Sequence, residues 1–469
     1  MLLSLVALSM AFAALALSSP MFEYEIEQGR PVGLVVILLI FAGAAYLVAV
    51  RQVLSHSITA RQRRAIILAG LCMRLMMMPS TPIQEDDYYR YLWDGAMAAH
   101  GWNPYEFPPQ VVAIGKDSVP AAVQQLAEQS GPVIGRINHP SLRTIYPPAA
   151  QASFAVAYFI KPWSLIALRF VWLALEAVCL LLIFSLLRRL GMPRQRVAIW
   201  WLNPVLVKEV YNSGHMELTV VVFVLLALWL LLAARPVLAG GALGLAAAAK
   251  VWPVLLLPLM LRYMPDMGAR LRSAVLFVAF SAVCAVPIIV AGLEGDSGFT
   301  AYAQRWEMND LGFMAFDAIG RLVGGPESGL GRVLVMFTIA ALVLWLIRKP
   351  AANPHDLIRR SLVIVAATFL LSPTQMPWYY LWVLPLLPMA PVRGLLLLSM
   401  SLPLYYLRFA MASAGQVAWF DHGVVWLEHL PVWILIAWDL RRSRREFASA
   451  NQPIAARPPV QSTTLDAAS

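Results

Sequence analysis

Residues 164–187 read SLIALRFVWLALEAVCLLLIFSLL and run directly into Arg188 and Arg189. An apolar stretch of this length crosses the ~30 Å hydrocarbon core of a bilayer as one helix. The stretch has no period-2 alternation, so a strand of a membrane barrel is excluded. Two charges interrupt it, Arg169 near its start and Glu176 near its middle. An ionisable residue inside a span is costly and needs a partner or a function.

Runs of the same kind recur on both sides. The spacing predicts spans at roughly 1–18, 32–50, 65–79, 164–187, 196–211, 217–234, 237–251, 252–264, 273–292, 331–348, 360–376, 378–391, 393–412 and 423–440. The pairs within 237–264 and 360–391 are short enough to be broken helices. Of the 469 residues, 60% are hydrophobic and 13% charged, against about 25% charged in a soluble domain. Together these imply an all-α polytopic membrane protein, a bundle of about 12–14 transmembrane helices. The net charge of +10 does not point to nucleic acid. Its arginines cluster at 51–64, 188–196, 262–272, 348–360 and 441–445, short polar stretches that alternating spans put on one side. That side reads as the cytoplasm.

With that orientation two long loops are external, 80–148 and 292–330. Residues 149–160 are apolar but too short to cross, and read as a juxtamembrane or re-entrant helix on the same face. Residues 1–446 form one membrane domain, and 447–469, rich in Ala, Pro and Ser, read as a disordered cytoplasmic tail. The apolar N-terminus lacks a basic flank, so its first run reads as a retained span. Cys72, Cys179 and Cys284 all lie in apolar runs with no metal or disulfide spacing.

The in-span charges are one-sided. Arg74, Arg169, Lys208, Glu209, Glu217, Lys250 and Arg408 all fall in the outer half of the bilayer, and only Glu176 lies near mid-span. A transport path spreads its charges over the full depth. A one-sided set fits a polar site at the outer interface.

The first external loop opens with Glu85-Asp86-Asp87-Tyr88-Tyr89-Arg90-Tyr91-Leu92-Trp93-Asp94-Gly95, and continues through His100-Gly101-Trp102-Asn103-Pro104-Tyr105. Carboxylates among aromatic rings suit sugar hydroxyls and apolar sugar faces, whereas an interfacial aromatic belt requires no interleaved acids. This pattern resembles the first external loop of the GT-C glycosyltransferases. It is most similar to the bacterial branch that includes polyprenol-phosphomannose-dependent mannosyltransferases. Asn138-His139-Pro140, Tyr146-Pro147-Pro148, Asn203-Pro204, Asn212-Ser213-Gly214-His215, Lys250-Val251-Trp252-Pro253 and Trp378-Tyr379-Tyr380-Leu381-Trp382 follow in the same order. The resemblance spans roughly 65–390 and leaves the role of the first two spans open.

The resemblance implies an inverting hexosyltransferase of a bacterial inner membrane, with its active site facing the periplasm and its C-terminus in the cytoplasm. The donor is a polyprenyl-phosphate sugar, with mannose the nearest match, and the acceptor is an envelope glycan or glycolipid. A phosphate needs no acid to leave, but the acceptor hydroxyl needs a base. Asp87 matches the loop aspartate, with Asp86 as the alternative. Lys250, Arg74 and Arg90 are the candidates to meet the donor phosphate. Asp94, Asn103, Tyr105, His139, Tyr146, His215, Trp378 and Tyr379 are expected to hold sugar, acceptor or loop, with Trp306 and Asn309 covering the site from the second loop. No cofactor is assigned. A divalent cation, with Asp87 and His139 as contributors, is left open.

Two other readings compete. An O-antigen ligase or polymerase rests on external arginines and a histidine, and the paired aspartates argue against it. A lipid-sugar flippase or transporter needs charges at several depths and no catalytic acid.

Overall fold

A computed structural model describes residues 1–450 except 27, 326 and 327, with side chains described as far as residue 442. The architecture is helical throughout, and among the described residues the only β pairing is the bridge between Met308 and Thr374. Seven helical stretches are long and apolar enough to cross a membrane: Leu2–Phe22, Val32–Ser55, Leu165–Arg189, Met267–Ala291, Leu330–Ile347, Arg393–Ser413 and Val417–Arg442. Shorter apolar helices, Pro148–Ile160, Leu218–Leu232, Pro236–Ala249 and Trp252–Tyr263, fill the bundle between them. The last helix continues to Ala450, past the start of the tail expected from residue 447. The rest of that tail, 451–469, lies outside the described residues.

Two predicted spans are not continuous helices. Residues 196–211 divide into one-turn helices Ala198–Trp201 and Pro204–Val207 and a wide turn Lys208–Asn212. The cause is local: Pro204 has no N–H to give the preceding turn, and the Asn203 side chain caps the new start by accepting from the Leu206 amide at 3.1 Å. Residues 378–391 form tight turns Pro377–Trp382 and Leu384–Leu386, punctuated by Pro377, Pro385 and Pro388. The break expected near Lys250 is present, where Pro236–Ala249 ends and the turn Trp252–Leu256 begins. Irregular backbone at membrane depth is tolerated where it is buried in protein or lines a wet cavity. The break at 203–212 is buried in protein, and those at Lys250 and at 377–382 reach a cavity.

Small residues set how closely the helices approach. A methyl group on Gly244 would sit 2.7 Å from the Phe277 carbonyl, so Pro236–Ala249 packs directly on Met267–Ala291. Gly95 brings the loop helix Asp87–Ala99 against Pro148–Ile160 in the same way, with Phe154 O 2.6 Å from a built Cβ.

The mid-span Glu176 is neutralised. Arg74 donates to it from Nε at 2.8 Å and from Nη2 at 2.5 Å, Trp200 Nε1 donates at 3.1 Å, and the Tyr211 hydroxyl also donates. The remaining Arg74 nitrogen, Nη1, donates to the carbonyls of Gly70 and Trp201, and the guanidinium lies 3.7 Å over the Trp201 ring. Each Arg74 nitrogen is therefore engaged within the bundle, and Arg74 does not line the cavity that holds Glu85, Asp86 and Asp87, which removes it from the phosphate-binding set. Arg74→Met leaves a buried, unpaired carboxylate and is expected to cost about 3–5 kcal/mol. The fall is read in the melting temperature of detergent-solubilised protein, and an unchanged value contradicts this pairing.

Candidate active site

The loop helix Asp87–Ala99 is presented by its neighbours. Arg169 ties down the chain before it, donating to the carbonyls of Met78 at 2.6 Å and Ser80 at 2.9 Å and to Asn212 O. Asn212 accepts from the Ile83 amide at 2.9 Å and donates to Ser80 Oγ and Thr81 O. This fixes residues 80–83, so that Glu85, Asp86 and Asp87 enter one cavity of about 660 Å³.

Within it, Asn138 Nδ2 donates to Asp86 Oδ1 and Asp87 Oδ1, each at 2.8 Å, and the Tyr146 hydroxyl donates to Asp87 Oδ2 at 3.2 Å. Asp87 is thus held on both oxygens while its side chain stays 22% exposed to the cavity. Burial and the neighbouring Asp87 charge push the Asp86 carboxyl up to about 6. Burial also drives Glu85 well above the usual carboxylate range.

Lys250 and Glu217 face these acids across the cavity, Nζ to Oε1 at 2.6 Å. Glu217 is 1% exposed and its other oxygen has no hydrogen-bond partner. The ammonium lies 3.8 Å over the Tyr379 ring and 4.9 Å from Trp382, held by charge and ring quadrupole together. The ion pair thus stands at the open cavity. Trp306, Trp378, Tyr379, Tyr302 and Tyr405 supply aromatic walls. The Tyr302 and Tyr379 hydroxyls are 3.0 Å apart, and His139 meets Trp306 edge-on at 4.8 Å. The second loop therefore reaches the cavity through Trp306.

Several expected site residues hold the loop. Arg90 lines the cavity, but its Nη1 and Nη2 donate to the carbonyls of Leu142, Asn138 and His139, clamping the far end of the loop to the helix. Asp94 accepts from Gln151 at 3.1 Å, and burial raises it to about 6. Asn103 donates to Pro287 O at 3.0 Å, and Tyr105 to Tyr146 O at 2.6 Å. Asn309, with φ of 58°, donates to Gln375 O and Glu428 Oε1, so it pins the second loop and does not line the cavity.

Sequence reading left out Glu85, Glu217, Asn138 and Arg30 as site residues. Glu217 carried a signal as a charge opening an apolar run. Arg30 carried none: it reaches the cavity because the chain between the first two helices folds over its mouth. Phe22 and Tyr24 line it too, Tyr24 meets Tyr89 at 5.9 Å, and Glu25 pairs with Arg136. The first two helices thus complete the rim.

Over residues 2–265 the chain matches a family described as "Alpha-(1->6)-mannopyranosyltransferase, N-terminal domain". It is 25% identical over 313 residues to a polyprenol-phosphate-mannose-dependent alpha-(1-2)-phosphatidylinositol pentamannoside mannosyltransferase of Mycobacterium tuberculosis (strain CDC 1551 / Oshkosh), covering 58% of this chain and 67% of that protein. No solved structure matches. Asp87, Glu217 and Lys250 fall within the family match, and Trp306, Trp378 and Tyr379 lie beyond it.

Proposed function

The chain belongs to the alpha-(1->6)-mannopyranosyltransferase family matched by its first 265 residues, and on that premise we propose that it moves a mannosyl group from a polyprenyl-phosphate carrier to an envelope glycan or glycolipid. The observation that carries this reading is the meeting of Asp87 with the Lys250–Glu217 pair in one aromatic-walled cavity. Asp87 takes the acceptor hydroxyl proton as the oxygen attacks C1. The C1–O bond to phosphate breaks, and its electron pair leaves with the polyprenyl phosphate. A single displacement of this kind inverts C1. Lys250, held by Glu217, meets the charge that grows on the leaving phosphate. The rings of Trp378, Tyr379 and Trp306 suit the apolar face of a hexose.

The arginine clusters support an orientation in a bacterial inner membrane with the cavity on the periplasmic side and the C-terminus in the cytoplasm. A transporter reading loses its one mid-span charge to the Arg74 pair. The matched family and the mycobacterial relative carry different linkages in their descriptions, so the proposal stops at mannosyl transfer. Mass spectrometry of envelope lipids and glycans tests it. Cells lacking the protein are expected to lose one mannosylated species and accumulate the same molecule one hexose lighter. Identical profiles contradict the proposal.

A further inference from the structure

Beside the sugar cavity, Glu85, Glu209 and His215 bring one ligand atom each within 4.8 Å of one another. His215 is fully buried, and neither ring nitrogen has a hydrogen-bond partner. Its Nε2 lies 3.5 Å from Glu209 Oε2 and 3.7 Å from Glu85 Oε2. Those separations are long for direct hydrogen bonds. They are close to the edge of a tetrahedron, about 3.3–3.6 Å, whose centre binds oxygen and nitrogen at about 2.0–2.2 Å. Glu85 Oε1 also lacks a partner. We infer that Glu85, Glu209 and His215 bind a divalent metal ion, Zn²⁺ by donor type, which fastens the chain entering the loop helix to the broken helix 204–212.

The surroundings agree with an imidazole and two carboxylates acting as ligands. The His215 ring is fixed by stacking on Trp378 at 3.8 Å and 15°. Its other nitrogen, Nδ1, faces Asp87 Oδ2 at 3.8 Å, the side on which a carboxylate orients a metal-bound histidine. Glu209 is held by Tyr406, which donates to Oε1 at 2.6 Å, and by Ser213 at 3.3 Å to Oε2. Lys208, 3.5 Å from Glu209, balances one of the two buried carboxylates. Three protein ligands leave a fourth position open, as in zinc sites that admit a further ligand. The pair named from the resemblance, Asp87 and His139, is not the one assembled: His139 packs on Trp306, and Asp87 stands behind the histidine.

Metal binding is measured on the protein alone, so its failure leaves the transferase reading intact, and failure of mannosyl transfer leaves the metal site intact. Chelator-stripped full-length protein in detergent is dialysed against Zn²⁺ and its metal content read by mass spectrometry. The expected result is about one Zn²⁺ per chain with a rise in melting temperature. Glu85→Gln and His215→Gln lower affinity at least about 10-fold and abolish that rise. Glu85 sits at the cavity edge, so Glu85→Gln is expected to keep the metal-free melting temperature and serves as the folded control. Wild-type protein that takes up no Zn²⁺ overturns the inference. So does Zn²⁺ held equally by wild type and Glu85→Gln, which shows an adventitious ion only.

Discussion

Asp87→Asn is expected to lower turnover by about 100- to 10,000-fold, the usual contribution of a positioned general base, in protein that still inserts and folds. The substitution keeps the size of the side chain and removes its basicity. Asn138 at 2.8 Å and Tyr146 at 3.2 Å hold both carboxylate oxygens, so the group is oriented before an acceptor arrives. Asp86→Asn is the comparison. Asp86 shares the Asn138 amide, and its carboxyl is pushed up to about 6 by burial and by the Asp87 charge. It is expected to retain far more turnover than the Asp87 variant. The reverse order makes Asp86 the base, and normal turnover in both variants removes the loop aspartates from the chemistry.

Lys250→Met is expected to raise the donor KM and lower kcat, a combined loss of about 100-fold in kcat/KM, with the acceptor KM little changed. The structure complicates the single substitution usefully. Glu217 is 1% exposed and pairs with Lys250 at 2.6 Å, so deleting the ammonium strands a buried carboxylate and lowers the melting temperature as well. The double variant Lys250→Met, Glu217→Gln separates the two effects. Replacing both charges restores stability, because no unpaired ion remains, while the donor defect persists. Recovery of normal donor kinetics in the double variant reduces Lys250 to a structural role.

How much of this was legible depends on how far each residue had to look for its partner. The helical bundle followed from the apolar runs, because a bilayer tests every segment on its own. Asp87, His139 and Tyr146 were visible in successive motifs of the loop, and the structure places them around one cavity. The direction of a side chain was not visible. Arg90 lies one turn from Asp87 on the same helix, yet it turns to the carbonyls of Leu142, Asn138 and His139. Arg74 reads as an outer-leaflet cation in its own span, and only the packing of three distant segments shows Glu176, Trp200 and Tyr211 closing on it. The Glu85–Glu209–His215 cluster was hidden for the same reason, since its members lie on two segments joined only by tertiary packing. Residues 196–211 were read as a span because apolar content was weighed above Asn203-Pro204, whose capping chemistry ends the helix there.

Mannosyl transfer is measured with purified protein in lipid nanodiscs. The protein is given sugar-labelled polyprenyl-phosphate-mannose and an envelope lipid extract as acceptor, with GDP-mannose as the competing donor. Label is expected to leave the polyprenyl phosphate and appear in acceptor with inverted configuration, Asp87→Asn to slow the transfer by at least about 100-fold, and GDP-mannose to donate nothing. Transfer from GDP-mannose, or transfer by Asp87→Asn at a rate near that of wild type, contradicts this mechanism.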